Sequence, residues 1–157
     1  MTMEVRTILW PTDLSRNSLK AAPHVNSLAE KYQAKVLVLY VGVDLMNYLP
    51  YGGKYPNEEH LEHFRNWETE QAKKKLETIC DKELKACPMF DVVLVTGDPA
   101  TEILKAAAQH QADMVVLSSH GRSADDLDAA SPEFGSVARK VLSNSPVPVH
   151  LVNPFQK

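Results

Sequence analysis

The chain is poor in cysteine, with Cys80 and Cys87 the only two among 157 residues. That excludes a disulfide-stapled scaffold. It also falls short of the closely spaced Cys/His set that a structural metal site needs. Both read as reduced, partly buried thiols near the end of a helix. A basic surplus is missing too. Seventeen Lys and Arg against twenty Asp and Glu leave a formal net charge of -3, whereas a dedicated nucleic-acid binder carries an excess of positive charge. No apolar run approaches the ~20 residues of a membrane span. The opening residues MTMEVR show no basic stretch followed by an apolar one, as a signal peptide would. The expectation is a cytoplasmic protein with no nucleic-acid and no membrane partner. A Walker A loop and a Gly-x-Ser-x-Gly elbow are also lacking, which argues for a binding or regulatory protein over a catalyst.

What is present is the composition of a globular domain, 44% hydrophobic and 24% charged. A domain of this size buries roughly 68–70% of its unfolded surface and needs no covalent staples, so residues 1–157 read as one domain. Strand-like and helix-like segments alternate along it. Residues 5–10 form an apolar run ahead of Pro11 and predict a first strand. Over 15–33, Ala21, Val25, Leu28, Ala29 and Tyr32 share one helical face, with Pro23 predicting a kink or a late start. Residues 36–41 are continuously apolar, the mark of a strand covered on both faces in a parallel sheet. Further strands are predicted at 90–95, 113–117 and 147–152. Further helices are predicted at 58–86, after Asp98-Pro99, and at 133–143. Asp98 suits an N-cap and Pro99 a first helical position. The order βαβαβαβαβ predicts an α/β fold with right-handed crossovers. One long connection, 44–57, is rich in Tyr, Pro and Gly and reads as a lid or a surface loop.

Several stretches, in order, resemble the universal stress protein family. ILWPTDLS at 8–15 is similar to that family's opening strand, with an aspartate just past its end. LAEKYQAKVLVLYV at 28–41 is similar to its first helix and second strand, and VTGDP at 95–99 to its third-strand exit. ADMVVLSSHGRS at 112–123 resembles its fourth strand and signature loop. GSVARKVL at 135–142 and PVPV at 146–149 resemble its closing helix and strand. The resemblance implies a three-layer, five-stranded parallel sheet of order 3-2-1-4-5 with helices on both faces. Strands one and four are then neighbours whose connections leave in opposite directions, and such a switch point opens a crevice at the carboxyl ends of the strands.

By the same resemblance that crevice takes ATP or AMP, with Mg²⁺ as the phosphate counter-ion. The implied binding residues are Thr12, Asp13, Val41, Ser118, His120, Gly121, Arg122, Gly135 and Ser136, with no catalytic and no metal-ligating residue. Nucleotide-binding members carry a glycine, two residues, a glycine, nine residues, then Gly-Ser or Gly-Thr. The glycines let backbone approach phosphate, and the helix start offers unpaired N–H donors. Here Ser118 replaces the first glycine, and thirteen residues separate Gly121 from Gly135-Ser136. The added stretch carries Asp125, Asp126, Asp128 and Glu133, which oppose a phosphate within a Debye length of ~8–10 Å. Ser131-Pro132-Glu133 reads as a fresh N-cap and first turn, which would place Gly135 and Ser136 inside the helix and occupy their N–H groups.

Two other functions follow from those departures. One is a nucleotide-independent homodimer whose acidic 125–133 insertion disables the phosphate site. The other is a slow Mg-dependent ATPase. A phospho-accepting signalling domain fits less well, because only Asp13 and Asp98 match its acidic positions. Asp13 also suits a turn that caps the first helix, Val41 plain strand core, and Gly97 a turn. Ser119 beside His120 has the residue types of a nucleophile and base, but adjacent side chains rarely face each other. His60 and His63 are too few for a metal site and lie, like Lys73, Lys74 and Lys75, on a solvated helix. The fifth strand has one free edge, which invites a second chain. The resemblance implies a homodimer through Val147, Val149 and Leu151, whereas Pro148, which removes one donor, reads instead as the mark of a guarded edge.

Overall fold

A computed structural model of the chain describes residues 2–42, 58–120 and 134–155. Its elements in order are β1 (Thr7–Thr12), α1 (Arg16–Leu19), α2 (Ala22–Tyr32), β2 (Lys35–Gly42), α3 (Glu58–Glu83), β3 (Met89–Thr96), α4 (Pro99–Gln109), β4 (Met114–Ser118), α5 (Ser136–Asn144) and β5 (Val149–Val152). The five strands form one parallel sheet of order β3-β2-β1-β4-β5. The expected connection at 44–57 and the 122–133 part of the insertion lie outside the described residues. Among the described residues no helix is long and apolar enough to cross a membrane.

Alternation along each central strand divides the core in two. Ile8, Trp10, Val36, Val38 and Val116 are fully buried on the face that also holds Val25 and Ala29 of α2 and Leu76 and Cys80 of α3. Leu9, Leu39 and Val115 are fully buried on the opposite face, with Ile103 of α4 and Val141 of α5. Burying a Leu or Ile side chain contributes about 1.5–3 kcal/mol, and these apolar runs fill both layers at once. That is why β2 reads as a continuous apolar segment and not an alternating one.

Several boundaries differ from the sequence reading, each for a local reason. The segment predicted as one helix over 15–33 is two: α1 ends at Leu19, and α2 takes Pro23 in its first turn, where a missing N–H costs nothing. Pro11 does not stop the first strand. It sits inside β1, paired with Leu39 of β2. The register with β4 holds Ile8 to Met114 and Leu9 to Val115. Thus Pro11, beyond that stretch, has no β4 partner to deprive of a donor. At the other end β5 begins at Val149, so Val147 and Pro148 precede it, and Pro148 uses its carbonyl to accept from Val115 N at 2.9 Å. On α3 only Ala72, Leu76 and Cys80 are buried, and Phe64 is exposed.

Candidate functional site

Beyond Leu9 and Val115, β1 and β4 part, and the space between them is a cavity of about 190 Å³. One wall is the apolar face of Pro11, Leu39, Val41 and Leu117, closed by Pro99 and Ile103 of α4 and Val137 of α5. The polar rim comes from the ends of β1 and β4 and the start of α5: Thr12, Asp13, Ser118, Ser119, His120, Gly135 and Ser136. A mostly apolar pocket with a few convergent polar groups is the usual form of a small-molecule site.

The β1 exit is rigid. Leu14 holds the left-handed conformation at φ 64°, which is costly for a side chain with a Cβ. The turn is fixed by side chains on either side of it. Thr12 Oγ1 accepts from Leu14 N at 3.1 Å, and Asp13 Oδ1 accepts from Ser15 N at 2.9 Å. Ser18 Oγ donates to Thr12 Oγ1 at 2.7 Å. The helix cap itself is Ser15, whose Oγ accepts from Ser18 N at 3.0 Å. Asp13 therefore shapes the turn without capping α1, and it lines the cavity.

The β4 exit turns through Ser118, Ser119 and His120. Ser118 Oγ donates to the carbonyl of His120 at 2.7 Å, with the carbonyl of Asn17 at 3.2 Å. Where the family pattern has glycine, the serine hydroxyl is thus engaged by backbone. Ser119 and His120 do face each other, against expectation: Ser119 Oγ lies 2.8 Å from His120 Nδ1. The sharp turn off the strand brings them together, and both are buried. The His120 ring meets Phe155 edge-on, with centroids 5.1 Å apart.

The helix start on the third side corrects the sequence reading most. α5 begins at Ser136 with Gly135 as its N-cap, so neither residue is interior to the helix. Gly135 N donates to the carbonyl of Ser119 at 2.9 Å, docking the start of α5 against the β4 exit. A Cβ on Gly135 would stand 3.4 Å from that same oxygen. The N–H groups of Ser136, Val137 and Ala138 occupy the first turn, where a helix has no internal acceptor for them, and all three residues line the cavity. The positive end of the α5 dipole adds to them.

The sequence-predicted residues Thr12, Asp13, Val41, Ser118, His120, Gly135 and Ser136 are brought together around this cavity. Gly121 and Arg122 lie outside the described residues. Gly42 is not part of the lining, and Gly97 (φ 155°) serves the turn into α4. There Asp98 caps the helix by accepting from Thr101 N at 3.0 Å and Thr101 Oγ1 at 2.7 Å. The Thr101 hydroxyl, then its N–H, with help from the charge of Lys140, holds the Asp98 carboxyl below its ordinary value. Sequence reasoning missed Leu39 and Ile103. The signals were there, since Leu39 is two residues from Val41 on the same strand face and Ile103 one helical turn from Pro99. Among the described residues no group of three or more His, Cys, Asp or Glu is placed to hold a metal ion.

Fold and crevice define a doubly wound α/β protein with a site at its topological switch point. The family model of the Universal stress protein family matches residues 4–153. The chain belongs to the universal stress protein family. It is 31% identical over 163 residues to universal stress protein MJ0577 of Methanocaldococcus jannaschii, covering 97% of each chain. It is 30% identical over 155 residues to MJ0531 of the same organism, covering 97% of this chain and 84% of that one. A solved structure of MJ0577 superposes with a TM-score of 0.78 over 99% of both chains, at 28% identity. The fold is shared with a universal stress protein from Archaeoglobus fulgidus solved in complex with dAMP. That match has a TM-score of 0.60 and 19% identity, over 97% of this chain and 100% of that one.

Proposed function

We propose that this chain is a cytoplasmic stress-response binding protein that takes an adenine nucleotide, AMP or ATP, in the crevice between β1 and β4. One observation carries the reading: α5 starts at Ser136, so the N–H groups of its first turn, which have no helical acceptor, belong to residues that line the cavity. Backbone donors at a helix N-terminus suit phosphate. The apolar wall of Leu39 and Val41 suits a purine face, and Asp13 stands where a ribose or adenine donor would meet a carboxylate. Ser118 contributes backbone, as the family's glycine does, and His120 borders the same mouth. Mg²⁺ would arrive with the triphosphate. The dAMP complex of the same fold supports an adenine nucleotide over other anions. The protein acts as a homodimer through the free edge of β5, with Val149 and Leu151 at the contact.

Isothermal titration of nucleotide-stripped protein with AMP, and with ATP in the presence and absence of Mg²⁺, tests this. Micromolar binding, weakened in Asp13→Ala, is the expected result. Absence of heat at millimolar nucleotide would overturn it and leave the nucleotide-independent homodimer. Light scattering at micromolar concentration should give twice the chain mass of 17.5 kDa; a monomer would refute the dimer.

A further inference from the structure

The other face of the sheet holds a pair of histidines that the crevice does not use. His24 stands in the first turn of α2 and His150 in β5, and neither lines the cavity. Although far apart in sequence, their side chains meet: His150 Nε2 lies 3.3 Å from His24 Nδ1. The ring centroids are 5.4 Å apart and the planes are inclined at 48°. The backbones beneath them are held by burial, through Ala22 and Val25 on α2 and Val152 on β5. Both rings remain reachable from solvent, His24 exposed and His150 half-buried.

The separation has a chemical meaning. Two nitrogens bound at ~2.0–2.1 Å to one tetrahedral ion stand about 3.3–3.4 Å apart, the edge of the tetrahedron. We propose that His24 Nδ1 and His150 Nε2 form a two-imidazole site for a divalent transition-metal ion of the zinc, copper or nickel class, with water completing the coordination. Imidazole selects such ions over Mg²⁺ and Ca²⁺, which take oxygen. Binding asks each ring to tilt so that its lone pair turns from the neighbouring nitrogen to the ion. The proton lying between the two nitrogens moves to the far nitrogen of the ring that carries it, so two neutral rings bind without net proton release.

His60 and His63 differ in kind. They lie exposed on one helix, whereas His24 and His150 are positioned by two elements of the core. A bound ion links α2 to the edge strand and stabilises the fold by mass action. With two protein ligands the affinity is micromolar, weaker than that of a closed four-ligand site.

The test is titration of the purified full-length chain with zinc chloride at neutral pH, followed by calorimetry and by the melting temperature. The wild-type chain should bind one ion with micromolar affinity and melt higher with zinc than without. His24→Ala and His150→Gln should each weaken binding about tenfold or more and abolish the thermal shift, while His60→Ala and magnesium chloride in place of zinc serve as controls. The partly exposed positions of both rings allow the variants to fold, which their metal-free melting temperatures check. Unchanged zinc affinity in either variant, or no binding to the wild-type chain at millimolar zinc, would overturn the site.

Discussion

Replacing Ser136 by proline tests the phosphate reading at a single atom. Ser136 is the first residue of α5, where the N–H has no helical acceptor, so proline removes no internal hydrogen bond. Gly135 before it has φ -59° and ψ 156°, the extended conformation that a following proline requires. The fold should therefore tolerate the change, with a melting temperature close to that of Ser136→Ala. The two variants both lack the hydroxyl and differ in the N–H. A hydrogen bond to a charged acceptor contributes about 1.5–3 kcal/mol, which is about a 10- to 150-fold change in Kd. Calorimetric titration with AMP should show Ser136→Pro weaker than Ser136→Ala by that factor. Equal affinities in two equally stable variants would refute the placement of phosphate at the start of α5.

Three further outcomes follow from the core. Leu39 is fully buried beneath the cavity wall, so Leu39→Ala should cost about 2–5 kcal/mol, read by urea denaturation; a loss under about 1 kcal/mol would mean that the neighbouring side chains close the gap. Cys80 is pushed up to about 11, first by burial and then by the charge of Asp81. Iodoacetamide at neutral pH should therefore label Cys87, which is half-buried, well before Cys80. Because its native pKa stands above the ordinary 9.0, Cys80 contributes stability that is whole below pH 9 and is lost as pH climbs toward 11. Cys80→Ala should flatten that alkaline loss, and an identical pH profile in the variant would count against the assignment.

Strand and helix order were legible because β1, β2 and β4 carry continuous apolar runs and α4 carries its own cap, Asp98-Pro99. Strand order was not readable from periodicity and came through the family resemblance. The misreadings share one cause, a pattern read residue by residue that the path of the folded chain overrules. Ser131-Pro132-Glu133, which has the form of a helix start, lies outside the described residues, and α5 begins at Ser136, where Gly135 is held by the carbonyl of Ser119. Pro11 has the form of a strand stop, yet β4 has already diverged at that point. Ser119 and His120 looked unable to meet, as adjacent residues on a strand would be; the turn off β4 is what joins them.

The early parting of β1 and β4 also divides the sheet into unequal cooperative units. β2 pairs with β3 along its whole length, from Lys35 and Met89 to Gly42 and Thr96, and with β1 from Thr7 and Lys35 to Thr12 and Tyr40. Between β1 and β4 the register covers only Ile8 with Met114 and Leu9 with Val115, next to the bond from Asp113 N to the Thr7 carbonyl at 2.8 Å. Local opening follows the least-paired seam, so amide protons of β4 and β5 should exchange with solvent through a lower-energy opening than those of β1 and β2. Any molecule lodged in the crevice spans that seam. It would then report its presence most strongly as slowed exchange in β4 and β5, far beyond the residues it touches.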